Sequence, residues 1–256
     1  MSAGVVVTGG GGGIGAAIAR RFAADGARVL VADLDGDRAT EVAAEIGGTA
    51  FGGDVAGEAG VARLVAAARE ALGEIDVFCA NAGVAPFGEK HATEDDWAAA
   101  WNVNVMAHVR AARALLPAWL ARGAGHFIVT ASAAGLLTSL GSAPYSVTKH
   151  GAVAFAEWLS ATYRHRGITV QAICPQGVRT AMLESAGERG ELLMGAAAIE
   201  PDQVADALFT AIEEGRFLVL PHPEVADYYA ARAADPDRWL GGMNKLQRKL
   251  EQLPDA

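Results

Sequence analysis

Short β-branched apolar runs alternate along this chain with longer alanine-rich stretches, the pattern of a parallel sheet covered by helices on both faces. The short runs predict strands at Gly4–Val7, Arg28–Asp33, Thr49–Asp54, Ile75–Ala80, Gly125–Thr130, Ile168–Cys174 and Phe217–Leu220. Between them, helices are predicted over Gly13–Asp25, Asp37–Ile46, Glu58–Leu72, Glu94–Arg122 and Ala143–Arg166. Thr93 ahead of Glu94, Asp95 and Asp96 reads as a helix start, with carboxylates at the positive end of the helix dipole. After Pro201 the rhythm changes: Asp202–Glu214 reads as one helix, and Pro221 and Pro223 then break the chain. A polar helical stretch containing Trp239 and ending in Lys245, Arg248 and Lys249 follows. This extension, 221–256, is read as a packing or subunit-contact appendage in preference to a part of a substrate site. No linker, repeat or charge block marks a second domain, so the expectation is one α/β, doubly wound domain over 1–256 with a seven-stranded parallel sheet.

Composition agrees. Of 256 residues, 52% are hydrophobic and 20% charged, enough to build a core and too apolar for disorder. The formal charge of −9 argues against nucleic acid or an anionic membrane surface as partner. Cys79 and Cys174 each end an apolar run, which suits buried strand ends in a reduced, cytoplasmic setting rather than a disulfide framework. No signal peptide is evident, and no apolar run approaches the ~20 residues that span a bilayer.

The chemistry begins at Thr8-Gly9-Gly10-Gly11-Gly12-Gly13-Ile14-Gly15, between the first strand and the first helix. Glycine there permits a tight turn and close approach of backbone to phosphate, and free N–H groups at the helix start favour an anion. Eighteen residues after Gly15, the second strand ends on Asp33. A carboxylate in that place accepts bonds from ribose hydroxyls and repels a 2′-phosphate, and Leu34 behind it offers no cation. NAD is therefore expected over NADP, although a merely solvated strand end would look the same. Asp54-Val55 and Asn81-Ala82-Gly83 follow the next two strands and are read as further cofactor walls. Tyr145 and Lys149, four apart in a helix, share one face about 6 Å apart along the axis.

Together these residues resemble the short-chain dehydrogenase/reductase family over nearly the whole chain, with a Rossmann-like fold. Thr8, Gly9, Gly13 and Gly15 match its glycine turn, and Asn81-Ala82-Gly83 its N-A-G element. Asn104, Ser132, Tyr145 and Lys149 match its catalytic tetrad, at intervals of 28, 13 and 4 residues. The resemblance implies Tyr145 as general acid/base, Lys149 acidifying the phenol, Ser132 holding the substrate oxygen, and Asn104 binding a water that links Lys149 to solvent. Asn104 is preferred to Asn102 by its place relative to Ser132. Pro175-Gln176-Gly177-Val178-Arg179-Thr180 departs from the family's P-G-x-V-x-T at Gln176, while Thr180 keeps the position that holds the nicotinamide carboxamide. Cofactor contacts are expected at Gly9, Gly12, Gly13, Ile14, Gly15, Asp33, Leu34, Asp54, Val55 and Asn81 to Gly83. Tyr145, Lys149, Pro175, Gly177, Val178 and Thr180 complete that set.

The family's mobile lid corresponds to about 181–200, where Met182, Leu183, Leu192, Leu193, Met194 and Ile199 point to a hydrophobic alcohol or ketone. Val84, Ala85, Pro86 and Phe87 are a second apolar wall. A homotetramer or homodimer through the two long helices is implied by the resemblance. The six histidines lack metal-ligand spacing, and no metal is expected. The leading reading is an NAD(H)-dependent oxidoreductase interconverting a secondary alcohol and a ketone. An NADPH-dependent biosynthetic ketoreductase and a non-catalytic NAD-binding regulator are the alternatives.

Overall fold

A computed structural model describes residues 2–86 and 92–252, so Phe87 and His91 lie outside the described residues. Seven strands form one parallel sheet: β1 (Gly4–Thr8), β2 (Arg28–Asp33), β3 (Thr49–Gly52), β4 (Val77–Ala80), β5 (Gly125–Thr130), β6 (Ile168–Ile173) and β7 (Leu218–Val219). Their order is β3-β2-β1-β4-β5-β6-β7, so the chain winds outward from β1 in one direction and from β4 in the other. The switch between them opens a crevice at the carboxyl ends of β1 and β4. The doubly wound α/β fold read from the sequence is the fold found; β2 and β5 have the bounds read, β1 runs on through Thr8, and the other four strands are slightly shorter. β3 stops at Gly52 because Asp54 turns aside, its carboxylate accepting the Ala56 N–H at 2.8 Å.

Helices α1 (Gly13–Ala24), α2 (Gly36–Ile46) and α10 (Pro201–Glu213) cover one face; α3 (Glu58–Leu72), α5 (Ala107–Arg122) and α7 (Ala143–Tyr163) cover the other. Side-chain alternation divides each strand between two cores. Val5 and Val7 pack with Ile18, Phe22 and Leu208, whereas Val6 packs with Leu64, Leu115 and Trp119. Each such large side chain contributes roughly 1.5–3 kcal/mol on burial, so both layers are strongly held to the sheet.

The long helix expected over Glu94–Arg122 is not a uniform α-helix. It comprises α4 (Glu94–Trp101), a π-helical turn over Asn102–Met106, and α5. Thr93 starts it with a reciprocal capping box to Asp96. The wider turn is stabilised from outside: the Asn104 carboxamide bonds both the Val84 N–H and C=O, at 2.9 Å each, and the Thr148 hydroxyl at 3.0 Å. Such turns concentrate at functional sites. α7 begins at Ser142, whose hydroxyl accepts the Tyr145 N–H at 3.2 Å, with Pro144 in the first turn.

The remaining helices are short pieces near the crevice, α6 (Ala134–Leu137), α8 (Ala181–Ser185) and α9 (Gly187–Met194), and a terminal pair, α11 (Glu224–Ala234) and α12 (Pro236–Leu250). No described helix is long and apolar enough to cross a membrane.

His108, one turn past Asn104, is 2% exposed and neither ring nitrogen has a hydrogen-bond partner. Burial, reinforced by the Lys149 charge, lowers its pKa to about 3. The unfolded chain, with an ordinary imidazole, binds a proton near pH 6.5 that the folded chain refuses, so stability falls as pH drops from there towards 3. We expect His108→Leu to remove up to about 1.4 kcal/mol per pH unit of that slope, measured by urea unfolding at several pH values. An unchanged slope would contradict the assignment.

Candidate active site

The glycine turn is fixed by hydrogen bonds across the switch point. The Thr8 hydroxyl donates to the Cys79 C=O at 3.2 Å and accepts the N–H groups of Asn81 and Ala82 at 3.0 and 3.1 Å. The Asn81 amide returns bonds to the carbonyls of Thr8 and Gly9. Gly9 sits at φ +62°, and a Cβ at Gly15 would lie 2.1 Å from the Gly9 carbonyl oxygen, so neither position admits a side chain. Gly12 precedes α1 with open space beside it and no capping side chain. Gly12, Gly13 and Ile14 at this uncapped helix start line the cavity, a placement that fits a pyrophosphate.

At the end of β2 the Asp33 carboxylate accepts the Gly11 N–H at 2.9 Å and the Asp35 N–H at 3.0 Å. These two bonds hold it beside the turn instead of leaving it a freely solvated strand end. Arg38, which sequence reasoning passed over, also reaches this wall from α2, with its Nε 3.5 Å from the Asp35 carboxylate.

Ser132, Tyr145 and Lys149 meet at the cavity floor. Lys149 is 3% exposed; its ammonium donates to the Thr130 carbonyl at 2.9 Å and lies 5.5 Å from the centre of the Tyr145 ring. Ser132 follows β5, its hydroxyl accepting the Ala134 N–H at 3.1 Å and reaching the Pro175 carbonyl at 3.4 Å. Asn104 is different. It is wholly buried behind the cavity, where its carboxamide braces the Gly83–Val84 backbone against α7 instead of facing the cavity.

Electrostatics depart from the expected acidified phenol. Burial raises Tyr145 above the usual tyrosine range, opposed by a hydrogen bond from Ser132 and reinforced by Cys174. Burial also pulls Lys149 down to about 8, with Cys174 acting weakly the other way. Desolvation disfavours both charged forms and is the largest influence on each.

One continuous cavity of about 630 Å³ joins these groups. Gly9, Gly12, Gly13, Ile14, Asp33 and Leu34 line its end at the glycine turn, and Asp54, Val55, Asn81, Ala82 and Gly83 the adjoining wall. Pro175, Gly177, Val178 and Thr180 border the middle; Gly15 lies beneath the surface. Residues 179–198 form a flap whose neck is closed by a Val178–Ile199 bridge, with the Ile199 N–H bonding the Gly177 C=O at 3.1 Å. Val84 and Ala85 line the cavity as expected.

Sequence reasoning missed more on the far side. Leu137, Leu140, Tyr228, Trp239, Met243 and Leu246 all line the cavity, the last four from the C-terminal extension. The appendage reading of that segment is therefore corrected. Thr138, between the first two, has φ +70°, a strained conformation for a β-branched residue. Gln176 lines the cavity, its side-chain amide donating to Glu224 at 3.4 Å and its backbone N–H to His222. Among the described residues no group of acidic, histidine or cysteine side chains is disposed to hold a metal.

Comparison with known proteins agrees with this geometry. A family model described as short chain dehydrogenase matches residues 3–190. A 1-deoxy-11-beta-hydroxypentalenate dehydrogenase of Streptomyces exfoliatus is 37% identical over 86% of this chain and 82% of its own. Momilactone A synthase of Oryza sativa subsp. japonica is 34% identical over 83% of this chain and 84% of its own. A solved short chain dehydrogenase/reductase from Burkholderia phymatum, in complex with NAD, superposes with TM-score 0.85 at 27% identity, covering 100% of this chain and 97% of that one. The chain belongs to the short-chain dehydrogenase/reductase family and is an oxidoreductase acting on hydroxyl and ketone groups with NAD(P).

Proposed function

We propose that the protein interconverts a hydrophobic secondary alcohol and its ketone, with NAD(H) as cofactor and Tyr145 as general acid/base. The observation that carries this reading is the single cavity that brings Tyr145, Ser132 and Lys149 to the open helix start and Asp33. Bound there, the cofactor supplies the hydride acceptor or donor. Tyr145 takes the hydroxyl proton as the alcohol is oxidised and returns it to the oxygen in reduction. Ser132 donates a hydrogen bond to that same oxygen and keeps it near the phenol. Lys149, a cation at neutral pH, favours the phenolate from across the ring; Asn104 is a positioning residue that fixes the Val84 backbone of the loop after β4.

The raised phenol keeps Tyr145 protonated at neutral pH, so its use as a base requires further stabilisation of the anion, about 1.4 kcal/mol for each pKa unit.

The whole chain works as one domain, with 181–200 as substrate lid. Two buried free thiols support a reducing, cytoplasmic location. An oligomer is supported by Val147 and Trp158 on one side of α7 and by Trp101 on α4, all 44–53% exposed despite their apolar character.

Tyr145→Phe is expected to lower turnover of a secondary alcohol by about 10²–10⁴-fold while NADH affinity, read by fluorescence, is kept. Retained turnover would remove Tyr145 from the chemistry. Asp33→Ala leaves Arg38 facing the ribose pocket and is expected to shift the kcat/KM ratio towards NADPH by about tenfold, equivalent to about 1.4 kcal/mol. A wild type already preferring NADPH would favour the ketoreductase reading instead. Trp158→Arg is expected to shift light-scattering mass towards monomer; an unchanged mass would place any interface elsewhere.

A further inference from the structure

Resting on the oxidoreductase reading above, we propose that the C-terminal hairpin of α11 and α12 is the far wall of the substrate chamber and selects alcohols and ketones with a bulky, fused-ring apolar body. α12 is polar overall, yet Trp239, Met243, Leu246 and Leu250 recur at spacings of four, three and four, one stripe along a helix. Leu250 is buried, and Trp239, Met243 and Leu246 face the cavity that opens on Ser132 and Tyr145. Leu240, off the stripe, is 62% exposed. The Tyr228 and Trp239 rings, 6.4 Å apart, join the two helices at the cavity wall.

The hairpin is anchored to the catalytic side. Val225 is fully buried, and the Arg232 guanidinium bonds the Leu136 carbonyl, with its Nη1 3.3 Å from His150 Nε2. His222, 3% exposed, accepts the Gln176 N–H at 3.2 Å and bonds the Ala197 carbonyl at 3.0 Å, so one imidazole ties the hairpin base to the cavity floor and the flap. Two further walls face the stripe: Met182, Leu183 and Met194 from the flap, and Leu137 and Leu140 from the β5 side. Among the described residues on these three walls none carries a formal charge. A small alcohol at Tyr145 would leave such walls against water, whereas a fused-ring body covers them, with the methionines adapting to its shape.

The test titrates 2-decalone, and separately cyclopentanone, into protein saturated with NADH, followed by calorimetry and by NADH absorbance. Trp239→Ala and Leu246→Ala are expected to weaken 2-decalone about tenfold without changing NADH or cyclopentanone affinity, and Trp239→Phe to keep most of it. Met243→Trp, which fills the chamber, should reject 2-decalone and still admit cyclopentanone. The proposal is overturned if wild type does not bind 2-decalone, or if the alanine variants weaken both ketones equally or neither. Hairpin-dependent binding without NADH oxidation would leave the wall standing and overturn the proposed NADH-linked reduction of such ketones.

Discussion

The seam between β1 and β4 is the constraint on which the site depends. Two neighbouring parallel strands whose chains leave in opposite directions necessarily open a crevice at their carboxyl ends, but topology alone does not set its width. The Thr8 hydroxyl and the Asn81 amide set it, stitching the glycine turn to the end of β4 with bonds in both directions. From that seam the turn presents free N–H groups on one side, and Gly83 runs back towards Asn104 and Lys149 on the other. A Cβ at Gly83 would lie 3.2 Å from the Asn104 oxygen and 3.4 Å from the Lys149 nitrogen, so the wall that continues from the glycine turn packs directly on those two side chains.

Burying a lysine beside a tyrosine costs free energy, and the surroundings show how that cost is contained. The ammonium is satisfied by the Thr130 carbonyl at the end of β5, and the helix that carries it is capped by Ser142 and braced through Thr148 by Asn104. His108 adds a buried imidazole kept neutral nearby. Burial keeps the proton on Tyr145 and, in the opposite sense, loosens the hold of Lys149 on its own, so a further charge brought beside them would change both.

Much of this was legible in the sequence because it rests on local rules. Strand positions followed from β-branched runs, the start of α4 from Thr93, and the Tyr145–Lys149 pairing from helix periodicity alone. Asp33 could be placed at a strand end, though not beside Gly11, since a carboxylate bonding backbone N–H groups looks no different in sequence from a solvated one. Arg38 was missed because its approach depends on the packing of α2 against the turn. The π turn at Asn104 was missed for a related reason: its stabilising partners, Val84 and Thr148, are 20 and 44 residues away.

The C-terminal extension shows where sequence reading fails most clearly. An amphipathic helix announces that one face is covered, but not by what. The stripe of α12 is compatible with a subunit, with the core or with a ligand, and periodicity cannot choose among them. What chooses is tertiary: Arg232 bonded to the backbone of α6, and His222 bonded to both the cavity floor and the flap. These bonds place the hairpin over a cavity instead of on a packed layer. The division of labour is physical. Ser132, Tyr145 and Lys149 at the floor are carried by the end of β5 and by α7, which the sheet holds; the far walls are methionines, leucines and aromatics on the flap and the hairpin, side chains that adapt without disturbing the floor.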